Sequence, residues 1–226
     1  MLVSRDTGET WEAFGHLRDS TTWLIENTLC EVAGDGDADA EDVVANPAAA
    51  TVAAGGRPPP SLVMLFRTGA GCVYRSMSTD RGRSWTAAAP TTLPNPNSKV
   101  GMTSAPVWLT TSAATATAPT TRLILAYNPS DTRRAPLHLA TSDDGGGTWT
   151  DVAVLEADPA GNFAYPTPIA MRRRRRAAID SEGGEERERE RARGAPVPAG
   201  GGVEVKIGYS VWGEGICVAS VLIPDS

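Results

Sequence analysis

The sequence has few of the residues that usually build metal and disulfide sites. Its 226 residues include only two histidines and three cysteines. Neither His16 nor His138 has a second ligand at metal-binding spacing, and Cys30, Cys72 and Cys217 each lie in an apolar, strand-like run. We therefore predict that the cysteines are small buried apolar residues, and that the protein uses no metal ion or other cofactor.

Long apolar runs and a basic surface are also missing. Without a run of about 18 apolar residues or a charged leader before an apolar stretch, neither a membrane span nor a secretory signal can be inferred. The formal net charge is −6 at pH 7, and the basic residues are concentrated in one segment of mixed sign. This distribution argues against a nucleic-acid partner. Neither the cellular compartment nor the oligomeric state follows from the sequence.

Strand-forming residues dominate the rest of the chain. They occur in short runs separated by Gly, Pro, Asn, Asp and Ser, and no apolar pattern of helical period is present. We therefore predict an all-β protein. The length suits one domain with a sizeable core, or about half of a large repeat fold.

One motif, S-x-D-x-G-x-[ST]-W, occurs three times, which favours the repeat fold. Its copies span Ser4–Trp11, Ser78–Trp85 and Ser142–Trp149. The Asp carboxylate and the Ser hydroxyl can bond to the backbone of a turn, the Gly permits a positive φ, and the Trp anchors the next strand. The motif is therefore structural rather than catalytic.

The three motifs resemble the Asp boxes of the sialidase (neuraminidase) superfamily, also known as BNR repeats, which lie between the third and fourth strands of propeller blades. The resemblance covers nearly the whole chain and implies a single, incomplete β-propeller domain of the six-bladed sialidase type over residues 1–226. About three blades would be present, with a remnant at the N-terminus. The strands expected from the pattern are Thr28–Val32, Leu62–Thr68, Cys72–Ser78, Val100–Leu109, Arg122–Asn128, Leu137–Ser142, Trp149–Leu155, Tyr165–Met171, Val203–Ser210 and Ile216–Ile223.

Three segments of biased composition interrupt this pattern and are predicted to be flexible loops. They are Ala33–Pro60, Thr110–Thr121 and Arg172–Gly202. Each falls between the first and second strand of a blade, on the same face as the Asp-box turns. The Arg172–Arg176 run could be a binding patch, but the acidic residues after it favour a solvated loop.

The opposite face carries the residues that could perform chemistry. Sialidases use a Tyr nucleophile, because an anionic carboxylate would be repelled by the substrate carboxylate. A neutral Tyr needs a base, which is usually a neighbouring Glu. Arginines hold the substrate carboxylate through a planar, bidentate fork. The family typically shows three such arginines and an Asp acid.

Four residues match this pattern by position. The segment ENTLCE resembles the family stretch that begins with the activating Glu, which makes Glu26 the candidate activator. In that family one carboxylate-binding Arg ends the next strand and another lies eight residues before the Ser of an Asp box. The resemblance therefore makes Arg67 and Arg134 candidate carboxylate ligands, with Arg133 as a substitute for Arg134. In the family the nucleophile opens a strand that precedes a final strand ending in Tyr. Tyr165 matches that position, so the resemblance makes it the candidate nucleophile.

Two departures from well-characterised sialidases qualify this assignment. The motif LPNPNS, with AYN after it, is closer to the predicted neuraminidase group of Asp-box proteins. Its candidate sugar ligands are Asn95, Asn97, Tyr127 and Asn128, and the alternative is a loop shaped by Asn-Pro turns. The first Arg of the triad and the catalytic Asp are expected on N-terminal blades before Met1, so this chain alone is expected to be inactive.

Three functional hypotheses follow from the sequence. The first is an exo-glycosidase that removes terminal sialic acid or a related acidic sugar from a glycan. The second is a non-catalytic propeller that binds glycans or proteins, for which ligand binding without hydrolysis would be decisive. The third is a propeller lyase or another glycosidase, because a fold does not determine function.

Overall fold

The computed structural model describes residues 2–32, 61–107, 120–172 and 202–224. In these residues the secondary structure consists of thirteen strands, and no helix long and apolar enough to cross a membrane is found among them. The prediction of an all-β protein is confirmed. The predicted loops Ala33–Pro60, Thr110–Thr121 and Arg172–Gly202 lie almost wholly outside the described residues.

The strands, in chain order, are β1 (Leu2–Val3), β2 (Glu12–Ala13), β3 (Ile25–Val32), β4 (Ser61–Arg67), β5 (Cys72–Ser78), β6 (Ala89–Pro94), β7 (Gly101–Val107), β8 (Thr120–Tyr127), β9 (Leu137–Ser142), β10 (Thr150–Glu156), β11 (Phe163–Arg172), β12 (Gly202–Val211) and β13 (Gly215–Pro224).

These strands form antiparallel sheets in which sequential strands are neighbours. The first sheet is β3-β4-β5-β6, the second is β7-β8-β9-β10 and the third is β11-β12-β13, while β1 and β2 form a short ribbon. The innermost strands β3, β7 and β11 contact one another in that order. Successive meander sheets that pack through their first strands are the blades of a propeller, here incomplete.

Two apolar cores lie between the sheets, and strand β8 shows why its sequence is a continuous apolar run. Leu123, Leu125 and Tyr127 face the core shared with the first sheet. Ile124 and Ala126 face the core shared with the third sheet. Because successive side chains of a strand point to opposite faces, a strand between two cores is apolar at every position.

Strand β12 shows the other pattern, because only one of its faces is covered in the described chain. Val203, Val205, Ile207 and Tyr209 are buried against the second sheet, and the residues between them are partly exposed. The neighbouring strand β13 likewise leaves Ile216, Val218 and Leu222 exposed. The third sheet therefore has one packed face and one open, partly apolar face.

The three Asp boxes form nearly identical turns. In each box the Ser hydroxyl donates to the Asp carboxylate at 2.7–2.8 Å, and it accepts the N–H of the box Gly at 2.7–2.9 Å. The Asp carboxylate also accepts from the backbone and hydroxyl of the Thr or Ser that precedes the Trp. These bonds close the turn locally, as the sequence predicted.

The box turn places two successive residues in the left-handed region. The box glycines have the expected positive φ, between 82° and 97°. The residue before each of them is also left-handed: Thr7 at 58°, Arg81 at 59° and Gly145 at 70°. This second left-handed position was not apparent from the sequence, because two of its three occupants are not glycine.

Candidate functional site

The candidate site lies at the end of the sheets opposite the Asp boxes. This end is formed by the turns that join the second and third strands of each sheet, and by the connections from one sheet to the next. All eight residues predicted from the sequence lie in these turns and connections or in the strand ends beside them. They are Glu26, Arg67, Asn95, Asn97, Tyr127, Asn128, Arg134 and Tyr165.

Arg67 is held by two other predicted site residues. Its Nη1 donates to Glu26 Oε2 at 2.7 Å, and its Nε donates to Asn97 Oδ1 at 2.7 Å. The side chain of Arg67 is only 13% exposed and that of Glu26 is 33% exposed. These charge-assisted bonds fix the plane of the guanidinium group, so Arg67 is oriented before any ligand arrives.

Arg134 reaches the same residue from the second sheet. Its Nη2 donates to the backbone carbonyl of Asn97 at 3.0 Å. Asn97 therefore contacts both arginines, Arg67 through its side chain and Arg134 through its backbone. Arg133 is exposed, and the hydrogen bond described for it runs from its backbone N–H to the Ser130 hydroxyl. Of this pair, only Arg134 joins the cluster.

Glu26 and Tyr165 occupy equivalent bulges in different sheets. Between paired positions Ile25 and Thr28 the inner strand β3 has one extra residue, and β11 has one between Ala164 and Thr167. Glu26 and Tyr165 lie in these bulges with φ of 46° and 55°. Bulges re-aim side chains, and left-handed non-glycine residues cluster at functional sites.

The non-glycine residues with left-handed backbone fall into two groups. Five non-glycine residues of the described chain have a positive φ. Thr7 and Arg81 belong to Asp-box turns, and the other three are the predicted site residues Glu26, Asn97 and Tyr165. Such conformations cost free energy and persist where surrounding contacts enforce them. Their concentration at this end favours a functional role for the cluster.

A glycine lets the third sheet approach the second at this point. A Cβ on Gly101, the first residue of β7, would lie 2.1 Å from the Pro166 carbonyl oxygen and 2.6 Å from Pro168 Cδ. The bulge that carries Tyr165 thus rests directly on the Gly101 backbone. Gly101 is not among the residues predicted from the sequence, although a glycine at the start of an apolar strand is a signal of close backbone approach.

Backbone bonds join the Tyr165 bulge to the Arg134 loop. The Phe163 N–H donates to the Arg134 carbonyl at 2.8 Å. Asn128, which is buried, donates through Nδ2 to the Pro136 carbonyl at 2.9 Å and to the Phe163 carbonyl at 3.3 Å. Asn128 therefore supports the loop and strand that carry Arg134 and Tyr165, and its role as a sugar ligand stays a prediction.

Asn95 and Tyr127 also contact the scaffold. The buried Asn95 side chain accepts the Ser98 N–H and donates to the Ser98 carbonyl, which closes the loop that presents Asn97. The Tyr127 hydroxyl donates to Asp151 at 3.0 Å, and burial together with the Asp151 charge raises the pKa of this phenol. The Asn95 bonds match the alternative of a loop shaped by Asn-Pro turns, and sugar binding by Asn95 or Tyr127 stays a prediction.

The candidate nucleophile is accessible. Tyr165 is 49% exposed, and in the described part of the chain its hydroxyl has no hydrogen-bond partner. Glu26 bonds to Arg67 through Oε2, and within the same residues its Oε1 has none. Arg67 Nη2 and the Nε and Nη1 groups of Arg134 are likewise unbonded there. The cluster thus offers free donors for an anion, and the exposed Tyr165 phenol lies in a bulge at the same end of the sheets.

The sequence profile of the BNR repeat-like domain matches residues 46–175, more than half of the chain. This stretch contains the second and third Asp boxes. The chain belongs to the BNR repeat-like domain family. The resemblance to BNR-repeat proteins, inferred above from the Asp boxes, is confirmed.

Several solved structures resemble this BNR-repeat chain at low sequence identity. The intramolecular trans-sialidase from Ruminococcus gnavus is 13% identical with a TM-score of 0.46, over 92% of this chain and 32% of that one. A mutant of the NanB sialidase from Streptococcus pneumoniae is 12% identical with a TM-score of 0.48, over 99% and 27%. The leech intramolecular trans-sialidase is 13% identical with a TM-score of 0.41, over 71% and 22%.

This BNR-repeat chain thus spans 22–32% of the length of these solved proteins. No curated protein matches the sequence significantly. Among the described residues, no group of three or more His, Cys, Asp or Glu side chains is placed to hold a metal ion.

Proposed function

We propose that this chain forms part of a site that binds a terminal acidic sugar of a glycan, such as sialic acid. The observation that carries the proposal is the joint contact of Arg67 and Arg134 with Asn97. Two guanidinium groups fixed on one residue, with free N–H donors, suit a carboxylate better than a neutral hydroxyl.

In this proposal Arg67 and Arg134 hold the sugar carboxylate, and Tyr165 is the nucleophile. The Tyr165 oxygen would form a bond to the anomeric carbon as its proton passes to Glu26 Oε1, and the glycosidic bond would break toward the leaving oxygen. An acid must protonate that oxygen, and water must later release the sugar from Tyr165. In the family pattern the acid is an Asp on a preceding blade, accompanied by a third Arg.

The proposal is therefore tested first by measuring the affinity of this chain for an acidic sugar. Calorimetric titration should show binding of N-acetylneuraminic acid and much weaker binding of its uncharged methyl ester. Arg134→Ala should weaken binding of the acid roughly tenfold or more, because it removes charge-assisted hydrogen bonds. Arg133→Ala is the matched control, since this neighbouring exposed arginine lies outside the cluster, and it should bind as the wild type does.

Equal binding of the acid and the ester, or equal effects of Arg133→Ala and Arg134→Ala, would contradict the proposal. Hydrolysis is tested separately, in a protein that also carries the acid and the third arginine. There Tyr165→Phe should abolish turnover of a sialoside while leaving its binding within about twofold, because the variant loses the attacking oxygen and keeps the ring. Binding without turnover in the unsubstituted protein would favour the non-catalytic propeller instead.

A further inference from the structure

One aromatic side chain at the site end has no role in the described fold. Trp212 is 84% exposed, the most exposed large apolar side chain of the described residues. It lies at the tip of the hairpin between β12 and β13, where the Glu214 N–H donates to the Val211 carbonyl at 3.1 Å. Gly213 and Gly215 have φ of 85° and 124°, which lets the chain turn sharply beside the indole.

The backbone ties this hairpin to the proposed site. The Trp212 N–H donates to the Asn162 carbonyl at 3.0 Å. Asn162 is followed by Phe163, whose N–H donates to the Arg134 carbonyl at 2.8 Å. Tyr165 is two residues further along the same strand. Trp212, the Arg134 loop and the Tyr165 bulge are therefore joined through consecutive backbone bonds.

Two other exposed tryptophans differ, because the fold uses their side chains. Trp11 is 61% exposed, but its Nε1 donates to the Gly8 carbonyl and anchors an Asp box. Trp23 is 55% exposed, but its ring packs directly on Gly69. In the described residues the Trp212 indole has no hydrogen-bond partner. Tryptophans, which combine a large apolar ring with an N–H donor, are enriched at binding interfaces.

We propose that Trp212 is a stacking platform for the uncharged hexose that precedes the terminal acidic sugar of the bound glycan. The C–H face of a pyranose ring is apolar and flat enough to lie on an indole, and the indole N–H can bond to a hydroxyl at the ring edge. This inference rests on the proposed function, because the acidic sugar held by Arg67 and Arg134 would bring the next ring to the hairpin.

The test compares three ligands in calorimetric titrations of the same chain: 3′-sialyllactose, N-acetylneuraminic acid and lactose. The wild type should bind the trisaccharide more tightly than the monosaccharide. Trp212→Ala should weaken trisaccharide binding roughly three- to tenfold, the scale of one aromatic contact, and leave monosaccharide binding unchanged. Trp212→Phe should keep most of the affinity. Trp11→Phe, at the opposite end of the molecule, should change neither ligand.

Unchanged trisaccharide affinity in Trp212→Ala would overturn the platform, as would equal weakening of both acidic ligands. Failure of the proposed function gives a different pattern, in which the monosaccharide does not bind or Arg134→Ala has no effect. In that case lactose decides: lactose binding that is lost in Trp212→Ala would support the platform without the anion site. No lactose binding in that case would overturn both.

Discussion

The two ends of the sheets differ in whether their turns and side chains repeat from one sheet to the next. At one end the same Asp-box turn occurs three times, with the same Ser–Asp, Ser–Gly and Asp–Thr or Asp–Ser bonds. At the other end each sheet contributes a different group: Glu26 and Arg67 from the first, Arg134 from the second and Tyr165 from the third. The repeated Asp-box turns stabilise the scaffold, whereas the end at which each sheet carries different side chains is where we expect ligand binding.

The two ends also differ in which residues have a left-handed backbone. Both ends contain left-handed non-glycine residues. In the Asp boxes the left-handed position does not require a particular side chain, because Gly145 occupies it in the third box where the others have Thr7 and Arg81. At the site the left-handed residues Glu26, Asn97 and Tyr165 each bear a functional group. The following predictions test whether substitutions at the Asp-box end change mainly stability, and substitutions at the opposite end change mainly ligand affinity.

The largest effect is expected for Gly101→Ala. A Cβ would lie 2.1 Å from the Pro166 carbonyl oxygen, so the backbone of the third sheet must shift. We expect a loss of about 3 kcal/mol in the free energy of unfolding, measured by denaturant titration, together with weaker binding of acidic sugars. Gly208→Ala is the control, since nothing lies within 4 Å of the added Cβ. Equal stability of the two variants would refute the close approach.

Asp144→Ala should affect stability and spare binding. The Asp144 carboxylate accepts bonds from Ser142, Gly147 and Thr148, and its removal should cost about 1–2 kcal/mol at this exposed turn. Binding of acidic sugars, measured by calorimetry below the unfolding transition, should not change. A variant that binds at least fivefold more weakly while folded would show that the two ends are coupled.

Low pH should destabilise the same turn. Burial tends to raise the Asp144 pKa, but hydrogen bonds from Thr148, Ser142 and Gly147 outweigh it and lower the pKa from 3.8 to about 2. A lowered folded-state pKa stabilises the protein at pH values above 3.8, and this contribution is lost as the pH falls toward 2. The unfolding midpoint of the wild type should therefore fall more steeply over this range than that of Asp144→Ala. Parallel curves would argue against the assigned bonds.

A difference of about 1 kcal/mol in unfolding free energy should separate two adjacent glycines of the third box. Gly146→Ala combines a φ of 82° with a Cβ 3.4 Å from the Trp149 ring, and should cost about 2 kcal/mol. Gly145→Ala has a φ of 70° with nothing within 4 Å of the Cβ, and should cost about 1 kcal/mol or less. The equivalent residues Thr7 and Arg81 show that a side chain is accepted there. Thermal unfolding would measure both, and the reverse order would be inconsistent with this turn.

Asn97→Gly should have the smallest effect on stability and a clear effect on binding. Glycine keeps the carbonyl that accepts from Arg134 and suits the φ of 54°, but it removes the acceptor for Arg67 Nε. We expect an unchanged unfolding free energy, to within about 0.5 kcal/mol, and a roughly three- to tenfold loss of affinity for N-acetylneuraminic acid.

Asn97→Ala removes the same acceptor and adds backbone strain, so it should bind as weakly as Asn97→Gly and be less stable by about 1 kcal/mol. Unchanged affinity in both variants would show that Asn97 does not orient Arg67 for binding.

Much of the fold could be predicted because its signals are local. The three boxes fixed the position of three turns, and alternating apolar residues located the strands on either side of them. The predicted Leu137–Ser142 strand has the observed bounds, and Arg122–Asn128 lies within two residues of the observed Thr120–Tyr127. Strand ends at the bulges were less accurate: the predicted Tyr165–Met171 begins two residues late, because Phe163 and Ala164 pair with Val211 and Ser210 before the bulge.

The candidate site was only partly predictable. The resemblance to the family pattern pointed to Arg134, through its spacing to an Asp box, and to Arg67, through its position at a strand end. Their common contact with Asn97 joins residues 30 and 37 positions apart in the chain. No local pattern reports such a contact, and the approach of Pro166 to Gly101 is equally non-local.

The sequence by itself determined the repeated Asp-box turns, the all-β architecture and the types of residue at the site end. These features depend on short-range hydrogen bonding, φ preferences and side-chain alternation, which adjacent residues encode. Only the tertiary structure decided that Asn97 links two arginines, that Glu26 and Tyr165 lie in matching bulges, and that Trp212 is exposed at the same end of the sheets. Those facts depend on how separate sheets pack, and packing is a property of distant residues taken together.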